Sequence, residues 1–282
     1  MTDQTAETPT TSVPIGLVRA RLRIASLTRS GAFRRMVVLT GLAAAWQIAA
    51  VIAANPLLFP SLTQTLSALW DALLQEDLAL SAIASLSILL KGYILAIVIA
   101  ALLVSFATAN AYAREALLTL TAMFNPLPAI ALLPLAMLWF GIGEASVIFV
   151  LVHSVLWPFA LAALSGFEAV PETQRLVGRN YGLSGARYVA YILVPSALPS
   201  IISGLKIGWA FAWRTLIAAE LVFGVSSSKG GLGWFIFRNR NELFTDKVFA
   251  GLVAVIAIGL VVEFGLFRAV EANTVRRWGM QR

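Results

Sequence analysis

Residues 82–107 form the stretch AIASLSILLKGYILAIVIAALLVSFA, in which Lys91 is the single charged side chain. An α-helix that crosses the hydrocarbon core of a bilayer needs about 20 mostly apolar residues. Five other runs of this kind occur along the chain, at 36–54, 116–140, 145–165, 196–222 and 248–267. The sequence therefore predicts an all-α, polytopic membrane protein with about six transmembrane helices.

The composition of the chain agrees with a fold whose main solvent is lipid. Of the 282 residues, 59% are hydrophobic and 12% are charged, whereas about a quarter of the residues in soluble domains are charged. The chain has no cysteine and a single histidine, His153, so we expect no metal site and no cofactor. The net charge is +7, and the basic residues lie beside the apolar runs and form no patch interleaved with aromatic residues. We therefore expect no nucleic-acid partner.

The basic residues predict the orientation of the spans. If both ends of the chain are cytoplasmic, 14 of the 21 Lys and Arg residues lie on the cytoplasmic side. These are Arg19, Arg21, Arg23, Arg29, Arg34, Arg35, Arg114, Arg175, Arg179, Arg187, Arg268, Arg276, Arg277 and Arg282. Loop 223–247 is an exception on the outer side, because it also carries basic residues, Lys229 among them. We predict a cytoplasmic segment 1–35, a transmembrane domain 36–267 and a cytoplasmic tail 268–282.

The third apolar run is interrupted by Asn125-Pro126-Leu127-Pro128. Each proline lacks a backbone donor, and its ring clashes with the preceding turn, so a kink or a break is expected here. Irregular backbone at membrane depth is tolerated where it is buried in protein or lines a cavity. Asn125, Pro126 and Pro128 are therefore candidates for the border of a pathway, and a simple bend in a packed helix is the alternative.

Residues 166–195, between the fourth and fifth runs, are too polar to span the membrane. Pro171 followed by Glu172 is typical of a helix start with a carboxylate in its first turn. Gly182 suits a turn, and Ser184 begins a second short helix over 184–192. The pattern predicts a helix-turn-helix at the cytoplasmic face.

This segment resembles the coupling loop of type I ABC importer permeases, whose pattern is Glu-Ala-Ala, three residues, Gly, nine residues, Ile, any residue, Leu, Pro. Gly182, Ile192 and Pro195 match this pattern at the right spacing, whereas residues 176–178 are Leu-Val-Gly in place of Glu-Ala-Ala, and Val194 replaces Leu. Residues 126–144 and 218–221 also look like the sulfonate, taurine and nitrate branch. The resemblance covers roughly residues 80–282.

The resemblance implies the partners and the location of the protein. They are two cytoplasmic ATP-binding subunits, an extracytoplasmic solute-binding protein and a second copy of the chain, all in or at a bacterial cytoplasmic (inner) membrane. The residues expected to couple to the ATPase are Glu172, Gly178, Gly182, Ile192 and Pro195. The chain has no G-x-x-x-x-G-K-[ST] phosphate-binding motif, so we expect ATP hydrolysis on another polypeptide and no enzymatic activity here.

His153, Arg214 and Glu220 are candidates for the translocation pathway, because charge at mid-bilayer is costly and usually faces a bundle interior or a watery cavity. Arg214 and Glu220 are expected to frame an outer vestibule. Arg214 offers a bidentate fork to sulfonate, carboxylate or nitrate oxygens; alternatively it pairs with Glu220 or with backbone carbonyls. His153 is either a titrating gate or a hydrogen-bonded histidine of the bundle. Lys206 lies within Gly204-Leu-Lys-Ile-Gly208, whose small-residue spacing favours close helix packing.

The sequence is thus interpreted as the transmembrane permease subunit of an ATP-driven importer for a small, anionic solute, working as a homodimer. The first alternative is an ion-gradient-driven secondary transporter, for which inverted repeats and paired broken helices are expected. The second is an intramembrane enzyme, which needs a catalytic constellation of paired acids, a nucleophile with its base, or a metal cluster. The sequence has one interrupted run, no repeat and no such constellation.

Overall fold

The computed structural model describes residues 31–223 and 230–274, and this part of the chain is helical with no strand. Predictions for residues 1–30, for Lys229 and for the tail 275–282 lie outside these ranges. The chain divides into two units at Thr63. The all-α class predicted from the apolar runs is confirmed.

The first unit contains helix α1, Gly31–Ala53. Its apolar side chains are mostly exposed, as with Val51 at 69% and Ile52 at 77%, which suits a helix surrounded by lipid. After the helix, the chain turns back within the unit. The Trp46 indole Nε1 donates a hydrogen bond of 3.1 Å to the carbonyl of Pro60, which fixes this turn.

The second unit, from Gln64 onward, contains most of helix α2 and all the later helices. The helices in chain order are α2 (Leu62–Gln75), α3 (Leu78–Ala109), α4 (Ala111–Phe124), α5 (Leu133–Phe140), α6 (Glu144–Glu168), α7 (Glu172–Asn180), α8 (Gly185–Tyr188), α9 (Val194–Ser196), α10 (Leu198–Phe223), α11 (Leu232–Asn241), α12 (Thr245–Val261) and α13 (Arg268–Asn273). A 3-10 turn, Ala129–Leu132, precedes α5. Two π-helical segments, Val189–Leu193 and Val262–Phe267, continue α8 and α12.

Within residues 31–223 and 230–274, the helices provide up to six spans if each bent helix pair is counted as one. Four helical stretches are long and apolar enough alone: Phe33–Ala53, Leu78–Ala109, Glu144–Glu168 and Thr245–Asn273. The other two are bent pairs, Ala111–Phe124 with Ala129–Phe140 at 89°, and Gly185–Ser196 with Leu198–Val222 at 80°. The predicted number of about six spans agrees with this. Helices α2 and α11 were not predicted, and they lie in the connections expected on the outer side.

The core forms where α3, α6 and α10 pack together, and small residues bring these helices close. A Cβ atom at Gly92 of α3 would lie 2.7 Å from the Leu151 Cβ of α6. A Cβ atom at Gly204 of α10 would lie 2.8 Å from the Ala162 Cβ of α6. Close packing by small residues is a recurrent device in membrane bundles. The packing interpretation of the 204–208 segment is confirmed.

Lysines within the spans form ion pairs with neighbouring helices. The Lys91 ammonium, the single charge of the 82–107 stretch, lies 2.6 Å from the Glu144 carboxylate at the start of α6. Lys206 pairs with Glu271 of α13. Pairing of opposite charges is the usual way in which an intramembrane charge is tolerated.

Glu220 ties three helices together in the interior of the second unit. Its side chain is 1% exposed, and both carboxylate oxygens accept from the Ser85 hydroxyl at 2.8 Å. One of them also accepts from the Gly233 N–H at 2.8 Å, and the Ser85 oxygen accepts from the Leu232 N–H at 2.8 Å. A negative charge and an acceptor thus lie at the N-terminus of α11, where free N–H groups and the helix dipole favour them.

Two glycines make room for this carboxylate. A Cβ atom at Gly231 would overlap the Glu220 carboxylate, and one at Gly233 would lie 2.5 Å from the Glu220 Cβ and 2.8 Å from the Ile217 carbonyl oxygen. The start of α11 therefore reaches α10 only because these positions have no side chain. Hydrogen bonds from Ser85, Leu232 and Gly233 thus join α3, α10 and α11 at this point.

Ser85→Ala tests this tie. The substitution leaves the Leu232 N–H without its acceptor and removes a donor from Glu220, so we expect it to destabilise the protein by about 1–3 kcal/mol, the cost of an unsatisfied buried polar group. The measurement is thermal unfolding of the purified protein in one detergent. Ser87→Ala, at an exposed position of the same helix, is the control, and equal unfolding temperatures for the two variants would contradict the assignment.

Candidate functional site

A cavity of about 340 Å³ lies in the second unit between the α4–α5 break, α6 and α10. It brings together five of the six residues predicted for a pathway: Asn125, Pro126, Pro128, His153 and Arg214. These positions come from three different spans. The sixth residue, Glu220, lies outside the cavity, in the buried tie at the start of α11.

The break beside the cavity follows from its prolines. Helix α4 ends at Phe124, and the Asn125 N–H still bonds the Thr121 carbonyl at 2.9 Å. Pro126 and Pro128 donate no hydrogen bond, so the helical ladder stops. It resumes through the 3-10 turn into α5, at 89° to α4. The predicted break is confirmed, and its irregular backbone lines a cavity, as expected at membrane depth.

Arg214 is the charged group of the cavity wall. Its Nε donates to the Ala210 carbonyl at 2.9 Å, one turn earlier in α10, and its guanidinium carbon lies 5.0 Å from the centre of the Phe211 ring. These contacts hold the guanidinium plane. Within the described residues, no carboxylate lies in ion-pair range of Arg214, and no Asp or Glu lines the cavity. The alternative in which Arg214 pairs with Glu220 is therefore not what the structure contains.

His153 and Trp157 form the α6 wall. Both ring nitrogens of His153 and the indole nitrogen of Trp157 are buried, and none has a hydrogen-bond partner in the described ranges. The Phe124 ring stacks on Trp157 at 5.1 Å and meets His153 edge-on at 6.1 Å. The hydrogen-bonded histidine of the bundle is not observed. Sequence reasoning did not assign Trp157 to the pathway, although its position four residues after His153 places it on the same helix face.

A second element, residues 171–196, forms the predicted hairpin of two short helices. Pro171 caps α7, Glu172 lies in its first turn, and Ser184 caps α8 with extended backbone. Gly182 has φ +71°, a left-handed conformation that favours glycine in a turn. The helix-turn-helix prediction is confirmed. The second arm differs from it by turning π-helical before Pro195, which has no N–H for the Tyr191 carbonyl.

The inside of the hairpin is closed by Gly178. A Cβ atom there would lie 2.7 Å from the Ile192 Cγ1 and 3.0 Å from the Tyr188 ring. At the last position of the Glu-Ala-Ala pattern, glycine in place of alanine thus has a steric reason, because the Cβ atom of an alanine would overlap Ile192. Arg175 fastens the first arm to the end of α6, since its Nη2 donates to the Phe167 carbonyl at 2.5 Å and its Nε to the Val170 carbonyl at 3.1 Å.

The hairpin outer face, defined as Leu176, Val177, Tyr181 and Tyr191, is apolar and exposed. Tyr181 is 82% exposed and Tyr191 is 70% exposed. Between the two arms, a shallow depression of about 300 Å³ is lined in part by Thr173, Val177 and Tyr191. Exposed apolar groups at a polar segment are typical of an interaction surface.

Residues 92–272 match the family described as "Binding-protein-dependent transport system inner membrane component". The taurine transport system permease protein of Escherichia coli is 36% identical over 144 residues, which are 51% of this chain and 51% of that protein. A putative ABC transporter permease protein of Methanocaldococcus jannaschii is 29% identical over 229 residues, 78% of this chain and 83% of that protein.

A third relative is the nitrate import permease protein of Synechocystis sp., which is 29% identical over 188 residues, 67% of each chain. The match to the taurine permease spans about half the length of that relative. The family match covers the broken third span, the hairpin and α10, which are the elements that carried the resemblance in the sequence. The chain is therefore a multi-pass membrane protein that belongs to the family of binding-protein-dependent transport system inner membrane components.

Proposed function

We propose that this chain is the transmembrane permease subunit of an ATP-driven ABC importer for a small anionic solute. Two copies form a homodimer, and each contributes its third, fourth and fifth spans to the pathway. Two ATP-binding subunits dock on the cytoplasmic side and hydrolyse ATP, and a solute-binding protein delivers the solute from outside. The relatives named for taurine, aliphatic sulfonates and nitrate support a solute of this kind.

The observation that carries the proposal is the connection between the hairpin and the cavity. The first arm of the hairpin continues from α6, which bears His153 and Trp157. The second arm leads through the 80° bend into α10, which bears Arg214. Both arms are therefore attached to the helices that form the cavity walls, so a force on the hairpin is transmitted to the site.

Several contacts make this transmission rigid. Arg175 fixes the first arm to the last turn of α6 through two carbonyls. At the other arm, Gly166 of α6 lies so close to α10 that a Cβ atom there would be 2.5 Å from the Ser200 Cβ. Packed interiors behave as nearly incompressible bodies. Rigid-body motion of a docked ATPase therefore tilts α6 and α10, and the cavity between them changes its access.

The hairpin outer face is the proposed docking surface for the ATPase. Helices with an apolar face commonly seat in a groove of a partner, and Tyr181 and Tyr191 present large aromatic groups of the type that dominates interface energies. We assign Glu172 to the start of the first arm. Gly178 and Ile192 hold the two arms of the hairpin together, and Gly182 and Pro195 lie at the two turns of the hairpin. The hairpin and both ends of the chain are cytoplasmic in this proposal, in agreement with the basic residues.

The ion-gradient-driven carrier remains the alternative to be excluded by experiment. The described part of the chain contains two bent segments, whereas the sequence predicts one interrupted run. The second bend, at Ser196–Leu198, belongs to the hairpin. The following helix α10 has 26 residues, about 39 Å at 1.5 Å per residue, and is long enough to cross the core of the bilayer unbroken. The second bend therefore does not favour the carrier.

The deciding experiment is solute uptake into proteoliposomes. We expect uptake to require the permease, the cognate ATPase, ATP and the liganded binding protein together, because the chain has no ATP-binding motif of its own. Uptake by the permease alone, driven by an imposed ion gradient, would show that the chain is a secondary transporter.

Tyr181→Ala tests the docking surface. Because the side chain is 82% exposed, its removal leaves the fold intact while removing an aromatic anchor, and we expect ATPase binding to weaken by about tenfold or more, as at interface hot spots. The affinity of the ATPase for the permease is measured with the permease immobilised on a surface in nanodiscs. Tyr112→Ala, an equally exposed tyrosine (89%) outside the hairpin, is the control. Equal affinities for the two variants would contradict docking at the hairpin outer face.

Gly178→Val tests whether closure of the hairpin is needed for coupling. The new side chain overlaps Ile192 and Tyr188, so we expect the arms to separate and stimulation of ATP hydrolysis by the liganded binding protein to be lost. Gly41→Val in α1 is the control, since a Cβ atom at Gly41 meets nothing within 4 Å and the residue lies outside the hairpin. ATPase activity of the reconstituted complex is measured. The coupling assignment fails if Gly178→Val is stimulated as strongly as Gly41→Val.

A further inference from the structure

We propose that a second cavity, between the hairpin and the ends of α3 and α6, binds the headgroup and the upper acyl chain of one anionic phospholipid. This hairpin cavity has a volume of about 720 Å³. The inference rests on the proposed function only for the side of the membrane, which is the cytoplasmic one. It assigns a ligand, a lipid of the bilayer, that the transport cycle proposed above does not include.

The hairpin cavity lies on the side of α7 that faces away from the proposed docking surface. Arg175 and Arg179 of α7 line the hairpin cavity, whereas Thr173 and Val177 line the depression between the two arms. Residues two positions apart on an α-helix point in nearly opposite directions. None of the four residues of the hairpin outer face lines the hairpin cavity. The residues assigned to ATPase docking and those of the hairpin cavity are therefore separate.

The part of the hairpin cavity beside α3 is apolar. Leu102 and Phe106, one turn apart on this span, line the hairpin cavity and are 67% and 64% exposed. Exposed apolar side chains of a membrane span face the hydrocarbon chains of lipids. Leu193 and Val194 add apolar groups from the second arm of the hairpin. This part is therefore suited to the upper part of an acyl chain.

The charged residues of the hairpin cavity lie beyond the end of α3, where the chain leaves the span. Among the described residues, they are three arginines and one carboxylate, namely Arg114, Arg175, Arg179 and Glu168. Arg114 donates through its Nε to Glu168 at 2.6 Å and through its Nη1 to Glu115 at 2.8 Å. Its Nη2 has no partner in the described part of the chain and remains for a ligand.

Arg179 is the least engaged of the three arginines. Its nearest carboxylate oxygen, on Glu172, lies 3.7 Å from its Nη1, beyond hydrogen-bond distance, and its side chain is 62% exposed. A guanidinium group pairs with two oxygens of a phosphate through parallel N–H donors. Basic pockets between membrane helices on the cytoplasmic side commonly bind anionic lipid headgroups. The lipid phosphate is therefore placed between Arg179 and the Nη2 of Arg114.

The chain has no cysteine, so a single introduced cysteine carries a fluorescent label at a chosen place. Ser105→Cys places the label at an exposed position that lines the hairpin cavity. Ala101→Cys, exposed on the same span but outside the hairpin cavity, is the control for contact with bulk lipid. The full chain is placed in nanodiscs of phosphatidylcholine. The probe is phosphatidylglycerol with bromine in its acyl chains, which quenches the label on contact, and phosphatidylcholine brominated at the same positions is the lipid control.

We expect brominated phosphatidylglycerol to quench the Ser105→Cys label at a mole fraction about fivefold lower than brominated phosphatidylcholine, and the Ala101→Cys label to show no such preference. Arg179→Gln is expected to reduce the preference by about fivefold, the contribution of one arginine beside an anionic headgroup. Arg187→Gln is the matched control, since Arg187 is an exposed arginine of the same hairpin that does not line the hairpin cavity. Inorganic phosphate, added at constant ionic strength, is expected to leave the quenching unchanged.

Equal quenching of the Ser105→Cys label by the two brominated lipids would overturn the inference. Equal effects of Arg179→Gln and Arg187→Gln would also overturn it, because they indicate diffuse attraction of anionic lipid to a basic surface. Displacement of the lipid by inorganic phosphate would show a site for a soluble anion instead. If Arg179→Gln does not fold, Ala190→Glu decides in its place, since Ala190 is exposed, lines the hairpin cavity and would add a repelling charge there.

The outcome is separable from that of the proposed function. ATP-dependent uptake together with equal quenching by the two brominated lipids refutes the lipid site and leaves the importer intact. A preference for phosphatidylglycerol without any ATP-dependent uptake refutes the importer alone.

Discussion

In the hydrocarbon core of a bilayer, a backbone N–H or C=O group must find its partner inside the protein, and this constraint organises the whole structure. Long helices satisfy it over most of the chain. It is relaxed where prolines stop the ladder, at residues 125–128, and where the hairpin bends into α10. The first of these places lines the cavity, and the second connects the cavity helix to the hairpin. Interruptions of the helical ladder therefore mark the parts of the molecule that we assign to function.

Buried polar groups in the spans fall into two kinds. The carboxylate of Glu220 is satisfied by Ser85 and by the N–H of Gly233, so that its role is to hold α11 on α3 and α10. The ring nitrogens of His153 and the indole nitrogen of Trp157 are buried without a partner in the described part of the protein, and both residues line the cavity with Arg214. Hydrogen bonding thus separates the carboxylate that holds helices together from the unsatisfied polar groups beside the cavity.

In the proposed importer, the elements for docking of the ATPase and the walls of the cavity belong to one continuous piece of chain. The segment from α6 through the hairpin to α10 contains the apolar docking face, the clamp of Arg175 and two walls of the cavity. Close contacts at Gly166 and Gly204 keep α6 and α10 in register. An event at the hairpin is thereby linked to the geometry around Arg214 without a flexible intermediate.

The sequence by itself determined the features that depend on local chemistry. Apolar runs of sufficient length indicated six spans, Pro126 and Pro128 indicated the break, and Pro171, Gly182 and Ser184 indicated the hairpin, because chain length, missing donors and positive φ act within a few residues. The partners of Glu220 were decided by tertiary structure, since Ser85 lies 135 positions away in the chain. Tertiary structure also decided that Trp157 and Arg214 line one cavity and that α11 packs against α3 and α10. The reason is that helices in lipid are matched by close packing and hydrogen bonding, which the apolar pattern of a sequence does not encode.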